Sequence, residues 1–398
     1  MEPMSLYNKS RNLRILVLAR VFPPRKGGIE NFMYNIYSRL AFNHNITVVT
    51  PNWPGSKSFD AKQNFKVIRT PQLPFIGERH GAPLFGMLLF ALKEILFYRP
   101  DQIHCDQIDT AIVGRLLAAI FRIPYLIYAY AMEVTNNHNV QLKRWVAEEA
   151  KAIIAISQYT RVQVEKYWGF RLARIYLIHP GTDVNRFYPQ VNPTKIRAKC
   201  GLDGKKIILT VGRLAAPERY KGHDYIIAGM PRILHEVPEA VYLVVGDGTD
   251  RGRLETLTRN YNIDGQVIFT GEVSEEELPE FYAASDVFVM PSREGKNNKG
   301  GTLTEGFGIV FLEANASMKP VIGGRIGGVL DAVIDGVTGL LVDPNDIDEI
   351  AKAIIKLLTN EALALKLGRQ GRERVVNELT WDKVVDKLRE VITVEMNR

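Results

Sequence analysis

Short runs of consecutive apolar residues alternate along this 398-residue chain with longer stretches in which apolar positions recur every three or four residues. The short runs predict buried strands, because a strand covered on both faces needs apolar side chains on both. In the first half these are Leu13–Ala19, Ile46–Thr50, Asp101–Cys105, Tyr125–Tyr130 and Ala152–Ser157. Between them the three-to-four spacing predicts helices over Ile29–Leu40, Leu84–Tyr98, Ala111–Phe121 and Gln141–Ala150. Such alternation implies βαβ units and a parallel sheet.

Near Leu177–Pro189 the pattern breaks into HPGTDVNRFYP, whose Pro, Gly and Asp mark a linker. It then restarts, with strands predicted at Lys206–Val211, Val241–Val245, Val267–Thr270, Val287–Met290, Pro320–Ile322 and Leu340–Val342. The helices between them are Tyr225–Glu236, Arg251–Asn260, Glu275–Ala283, Ile309–Ala316 and Ile347–Thr359. Two amphipathic stretches follow, Glu361–Val376 and Trp381–Met396. The expectation is an α/β protein of two Rossmann-like doubly wound domains, over residues 1–188 and 189–380. A C-terminal helix over 381–398 has apolar surface to cover and is expected back on the first domain.

Composition narrows the class. The chain is 46% hydrophobic and 24% charged, as ordinary globular proteins are, and too long for one core. Two distant cysteines, Cys105 and Cys200, make neither a metal site nor a disulfide framework, which fits a reducing, cytoplasmic compartment. The polar start, MEPMSLYNKSRNLR, lacks a signal-peptide core, and Leu84–Tyr98 is interrupted by Lys93 and Glu94 and too short to span a bilayer. The net charge of +7 is uneven: residues 1–190 hold 24 Lys plus Arg against 13 Asp plus Glu. An anionic partner, such as a phospholipid surface met peripherally at the inner face of the cell membrane, is one reading of that half. A solvated basic surface is the other. Met87, Phe85, Phe90, Phe97 and Tyr98 read as a packed helix face, with membrane contact as the minority reading. No basic-aromatic stripe or recognised module points to nucleic acid.

The candidate chemistry lies in loops after strands, where doubly wound sheets bind ligands. Gly27 and Gly28, in PPRKGGIEN, precede a helix whose free N–H groups suit an anion. In VGRLAAPERYKG, Gly212 leads to Arg213, and Lys221 follows eight residues later. A fork and a point charge above one strand end can hold a diphosphate, although either cation alone reads as solvated surface. TEGFGIVFLEA places Glu305 in a loop and Glu313 about one turn into the following helix. Both carboxylates suit sugar or ribose hydroxyls, and the amides of Gly308 and Ile309 would face a phosphate. Gly323, Gly324, Gly327 and Gly328 form a further close-approach loop. Gly246-Asp247-Gly248 reads as a turn, Asp247 and Asp250 make no metal pair, and His179 and His104 read as structural.

In order, HPGTDVNRFYP, VGRL, YKG, VVGDG, VIFTGEV, DVFVMPSRE, EGFGIVFLEA and DGVTGLLVDP resemble the blocks of the retaining glycosyltransferases of family 4 over nearly the whole chain. That resemblance implies the GT-B architecture, two such domains facing across a cleft that closes about the linker. MPSRE with an insert, EGFGIVFLEA and GGVLDAVIDG are most similar to the phosphatidylinositol mannosyltransferase branch, which implies GDP-mannose as donor and a lipid acceptor. Similar motifs also serve UDP-sugars. The resemblance further implies that Arg213 and Lys221 clamp the donor pyrophosphate and that Glu313 binds ribose. It puts Glu305 near the donor sugar's hydroxyls, Gly28, Gly306, Phe307, Gly308, Ile309 and Val310 around the phosphates, and Gly271–Val273 and Arg293 near the base. Where many members carry His-Gly-x-Glu, this chain reads AYAMEV, so that Tyr130 takes the histidine's place. A phenol donates a hydrogen bond to a sugar oxygen but does not act as imidazole does near neutral pH. Leu330-Asp331, where many members have Pro-Glu, is a milder departure.

The expected reaction is transfer of a hexose, mannose favoured, from a nucleotide-diphosphate sugar to a lipid-linked or glycan acceptor. It would proceed with retention, by same-face displacement, and with no cofactor and no metal, the two cations taking the metal's part. The alternatives are a nucleotide-sugar epimerase of the same fold and a non-catalytic sugar-nucleotide-binding protein. An acceptor would be read by Trp53–Asn64, Leu73–Leu84 and Glu133–Gln141, which carry no interpretable motif.

Overall fold

The structure is a computed structural model that describes residues 12–71, 82–135, 139–169, 174–296 and 301–394. It divides into two compact units. The first holds the chain to Ile156, Arg161–Ile178 and everything from Asp382 on; the second holds Ser157–Thr160 and His179–Trp381.

The first unit is built on seven parallel strands: β1 (Arg14–Leu18), β2 (Asn45–Pro51), β3 (Lys66–Thr70), β4 (Gln102–Cys105), β5 (Tyr125–Ala129), β6 (Ala152–Ala155) and β7 (Ile175–Leu177). Their order is β3-β2-β1-β4-β5-β6-β7. The central strands are apolar throughout because helices cover both faces; β4, β5 and β6 are buried at every position. The two edge strands escape the sequence pattern. KVIRT is mostly half-buried, and Ile175–Leu177 is only three residues long.

The second unit has β8 (Lys206–Val211), β9 (Ala240–Val245), β10 (Val267–Gly271), β11 (Val287–Met290), β14 (Val321–Gly324) and β15 (Gly339–Val342), with a small antiparallel ribbon of β12 (Gly295–Lys296) and β13 (Thr302–Leu303). The main sheet runs β10-β9-β8-β11-β14-β15. Both sheets therefore reverse order once, between β1 and β4 and between β8 and β11. Ligands of such sheets sit beyond the carboxyl ends of the strands at that reversal.

The C-terminal helix, Trp381–Val394, buries Val384, Val385, Leu388 and Ile392. From Asp382 on it belongs to the first unit, where Arg39 Nε meets Asp382 at 3.0 Å and Gln102 Nε2 donates to the Ile392 carbonyl at 2.9 Å. Gln102 also bonds His104, whose Nδ1 lies 2.9 Å from the Tyr37 hydroxyl. His104 is thus a satisfied core histidine, held to a pKa of about 3 by burial. The His179 ring lies 5.3 Å from that of Phe307.

Helix Ala82–Tyr98 is only half the packed face that its sequence suggests. Met87, Ala91 and Ile95 are buried, but Phe85, Leu89, Leu96, Phe97 and Tyr98 are exposed, Phe97 to 72%. The helix is apolar around most of its circumference, and the sheet covers one side.

Candidate functional site

In the second unit, β8 leads into Gly212 and Arg213, and the chain then makes a 3-10 turn over Ala216–Lys221. That turn brings Lys221 back toward β8. Its ammonium lies against Gly212, where a Cβ would sit 3.3 Å from Nζ. Glu218 lies between the two cations. One carboxylate oxygen meets the Arg213 guanidinium and the other meets Lys221 Nζ at 2.7 Å. Arg213 remains more than half exposed, whereas the side chains of Lys221 and Glu218 are 13% and 12% exposed.

The segment after β11 supplies the other side of this charge cluster. Glu305 accepts backbone N–H bonds from Gly306 and Phe307 and feels the Lys221 charge. Burial pushes its carboxyl upward; Lys221 pulls the other way, and the Glu218 charge adds to the rise. The Tyr220 phenol, raised chiefly by burial, feels Glu305, Glu218 and Arg213 together, so the four share one locale.

Gly308 then takes a left-handed conformation, φ 90°, and starts helix Ile309–Ala316 with no side-chain cap. The first N–H groups of a helix have no intrahelical acceptor, so the amides at this end are donors for a ligand. A Cβ on Gly308 would lie 3.6 Å from Glu305 Cγ, which places this helix end beside the Glu305 carboxyl. Ser292 and Gly306 are each backed by a glycine at the end of β14 or just after it. A Cβ on Gly328 would fall 1.8 Å from the Gly306 carbonyl oxygen, and one on Gly324 2.1 Å from that of Ser292. Gly328 N–H also donates to the Glu305 carbonyl at 3.0 Å.

Glu313 is buried on that helix and accepts a 2.6 Å hydrogen bond from the Tyr282 hydroxyl. Burial pushes its pKa to about 7. Arg293 is differently committed. Its guanidinium makes two bonds to Asp224, at 3.0 and 2.9 Å, and stacks 4.2 Å from the centre of the Tyr225 ring. Asp247 and Asp250 are ion-paired, to Arg251 and to Arg219 and Arg253. The structure thus brings Gly212, Arg213, Lys221, Glu305 and the Gly306–Val310 segment together and ties up the donors of Arg293.

The first unit has its own cluster. Helix Gly28–Leu40 starts at Gly28 without a side-chain cap; a Cβ on Gly27 would lie 2.2 Å from Glu30 Oε2, while Gly28 faces open space. Tyr130, directly after β5, is buried, and its hydroxyl has no hydrogen-bond partner among the described residues. Its N–H donates to Glu133. Burial holds both Glu133 and Asp106 at a pKa of about 7. Asp106 accepts from the Arg20 and Val21 amides and from Thr110, at 2.8, 3.3 and 2.9 Å. The Tyr130 phenol feels Asp106, Glu133 and Glu30, so a polar group without a partner sits among three acids. Of the three acceptor-reading loops, 72–81 and 136–138 lie outside the described residues. Trp53–Asn64 is described and holds a short helix, Ser56–Asp60.

The profile of "Glycosyl transferases group 1" matches residues 192–374, and that of "Glycosyltransferase Family 4" matches 26–186. The GDP-mannose-dependent alpha-(1-6)-phosphatidylinositol monomannoside mannosyltransferase of Mycobacterium tuberculosis is 30% identical over 393 residues, 94% of this chain and 97% of that protein. The chain belongs to glycosyltransferase family 4. The mannosyltransferase of the same description from Mycolicibacterium smegmatis is 29% identical to this transferase, over 95% of this chain and 98% of that one. Among solved structures, HepE of Anabaena, in complex with UDP and glucose, superposes with a TM-score of 0.80 at 20% identity, covering 96% and 100% of the two chains. At that identity the likeness is one of fold: the transferase has the GT-B architecture of two parallel-sheet α/β domains.

Three residues of these clusters carry no signal in the sequence of the transferase. Glu218, between Pro217 and Arg219 in a turn-like stretch, reads as solvated. Tyr282 reads as an ordinary core aromatic. Asp106 sits one residue beyond a strand.

Proposed function

We propose that this transferase moves a mannosyl group from GDP-mannose to a lipid-linked or glycan acceptor, with retention at the anomeric carbon and without a divalent metal. One observation carries the reading: Arg213 and Lys221 bracket a single anionic group beside Glu305 and the uncapped start of helix Ile309–Ala316. The mannosyltransferases of M. tuberculosis and M. smegmatis, similar over nearly their full length, are described as GDP-mannose-dependent, which supports the choice of donor.

The chemical difficulty is departure of a diphosphate from the anomeric carbon. Negative charge grows on the leaving oxygens as the sugar becomes oxocarbenium-like. Arg213 meets that charge as a planar fork and Lys221 as a point charge, and the amides at Gly308–Val310 add fixed dipoles. Groups already aimed at developing charge need no reorganisation during the reaction, which is why they lower the barrier. In this reading Glu305 accepts from sugar hydroxyls and Glu313 from the ribose, while the unpartnered Tyr130 hydroxyl is a free donor within the first unit's own cluster. Among the described residues no carboxylate is singled out as a nucleophile, and in this reading the incoming hydroxyl attacks the face that the diphosphate leaves.

A lipid acceptor requires work at a bilayer surface. Among the described residues no helix is long and apolar enough to cross a membrane. The outward face of helix Ala82–Tyr98 and its neighbour Ile108–Phe121 expose Phe85, Leu96, Phe97, Tyr98 and Ile120, with Lys93, Arg99 and Arg122 exposed alongside. Aromatic and basic residues side by side suit peripheral contact with anionic lipid.

The test is a thermal-shift series with GDP-mannose, UDP-glucose and UDP-N-acetylglucosamine, repeated in EDTA. The true donor raises the melting temperature most, because only a ligand of the folded state stabilises it. The largest shift with a UDP-sugar would overturn the donor. Loss of turnover in EDTA, restored by a divalent ion, would overturn metal independence, and an inverted product anomer by NMR would overturn retention.

A further inference from the structure

Glu218 has no role in the proposed transfer step, yet it holds both of the cations that would meet the diphosphate. Each of its carboxylate oxygens serves one of them, Arg213 or Lys221. Glu218 and Lys221 are both nearly buried, so their ion pair is shielded from the solvent screening that weakens surface pairs, whereas the pair to the half-exposed Arg213 is screened more. Glu305 is a second carboxyl beside Lys221. The clamp is therefore close to charge balance before any diphosphate arrives. A diphosphate brings at least two further negative charges into a partly buried place, where like charges repel more strongly than in water.

We propose that Glu218 is a built-in counter-ion that competes with the donor: a nucleoside diphosphate binds by taking Arg213 and Lys221 over from it. This rests on reading Arg213 and Lys221 as the diphosphate clamp. Donor affinity is then set by an exchange of one anion for another. The occupied clamp also holds Arg213 in place and keeps the nearly buried Lys221 from standing as an unpaired charge. The site gives up affinity and gains preorganisation.

The experiment is calorimetric titration of GDP into the full-length protein and into Glu218→Gln, Glu218→Ala and Arg213→Ala. Glutamine keeps the shape and removes the charge. Alanine removes the side chain and answers the question if the glutamine variant does not fold. Both Glu218 variants are expected to bind GDP about tenfold more tightly, and Arg213→Ala more weakly. A residue that merely holds the cations in place can only lower affinity when lost, so the sign of the change separates the two roles. Equal or weaker binding by both Glu218 variants, with Arg213→Ala still impaired, overturns the counter-ion proposal alone. Unimpaired binding by Arg213→Ala overturns the clamp reading and this proposal with it.

Discussion

Tyr282 donates a 2.6 Å hydrogen bond to Glu313, and both groups are buried. Burial lifts the Glu313 carboxyl to about 7, and the phenol's bond to the charged form draws it down. A carboxylate whose pKa is raised by folding favours the folded state at acid pH, and that advantage is lost as the pH climbs through about 7. In its proposed role as ribose ligand Glu313 acts in the ionised form, so nucleotide binding should weaken as the pH falls through the same range. Tyr282→Phe removes the downward pull and should move this acid limb to higher pH. The check is GDP affinity from pH 5.5 to 8.5 in both proteins; superimposable profiles would remove Glu313 from the ribose site.

Gly328 is within van der Waals overlap of Gly306 for any side chain, with 1.8 Å from its Cβ position to a backbone oxygen. Gly328→Ala must displace the loop that carries Glu305. Overpacking of this kind costs roughly 1–3 kcal/mol. We expect a lower melting temperature together with weaker donor binding, measured on the same sample. Weaker stability with unchanged affinity would mean that the loop's position does not matter to the ligand.

The strands and helices that face a core were legible because their apolar residues repeat at a period set by burial. Lys206–Val211, Arg251–Asn260 and Ile309–Ala316 match their predicted bounds. The edge strands β3 and β7 were not legible, being half-buried or very short. At the site, glycines and cations could be read because each has a local meaning: a positive φ at Gly308, a charge after a strand at Arg213. What stayed hidden depends on partners distant in sequence. Nothing near Arg293 shows that Asp224 holds its guanidinium, and nothing near Tyr282 shows the carboxylate above it.

Tyr130 has a buried hydroxyl without a partner among the described residues, so Tyr130→Phe removes no hydrogen bond seen in the fold. Thermal stability should be unchanged or slightly raised, since an unsatisfied buried donor is itself a cost. Transfer should slow by roughly fivefold if the hydroxyl serves a sugar oxygen, one neutral hydrogen bond being worth about 1 kcal/mol. An unchanged kcat would place Tyr130 outside the chemistry.

Phe85 and Phe97 are 61% and 72% exposed on one helix. Replacing both with serine should reduce co-sedimentation with vesicles of anionic phospholipid while leaving the melting temperature within a degree or two. Binding of the unaltered protein should fall as salt is raised, because the basic side chains act through a screened field. Equal co-sedimentation of the two proteins would move any membrane contact elsewhere.

Arg213 and Lys221 are proposed to stabilise a departing diphosphate, and the whole of the proposed transfer step depends on that role. It is tested most directly by the rate of GDP release from saturating GDP-mannose in the Arg213→Ala/Lys221→Ala double variant. Removing groups aimed at transition-state charge predicts a fall of roughly 10²–10³-fold or more. A rate equal to that of the unaltered protein would contradict the account.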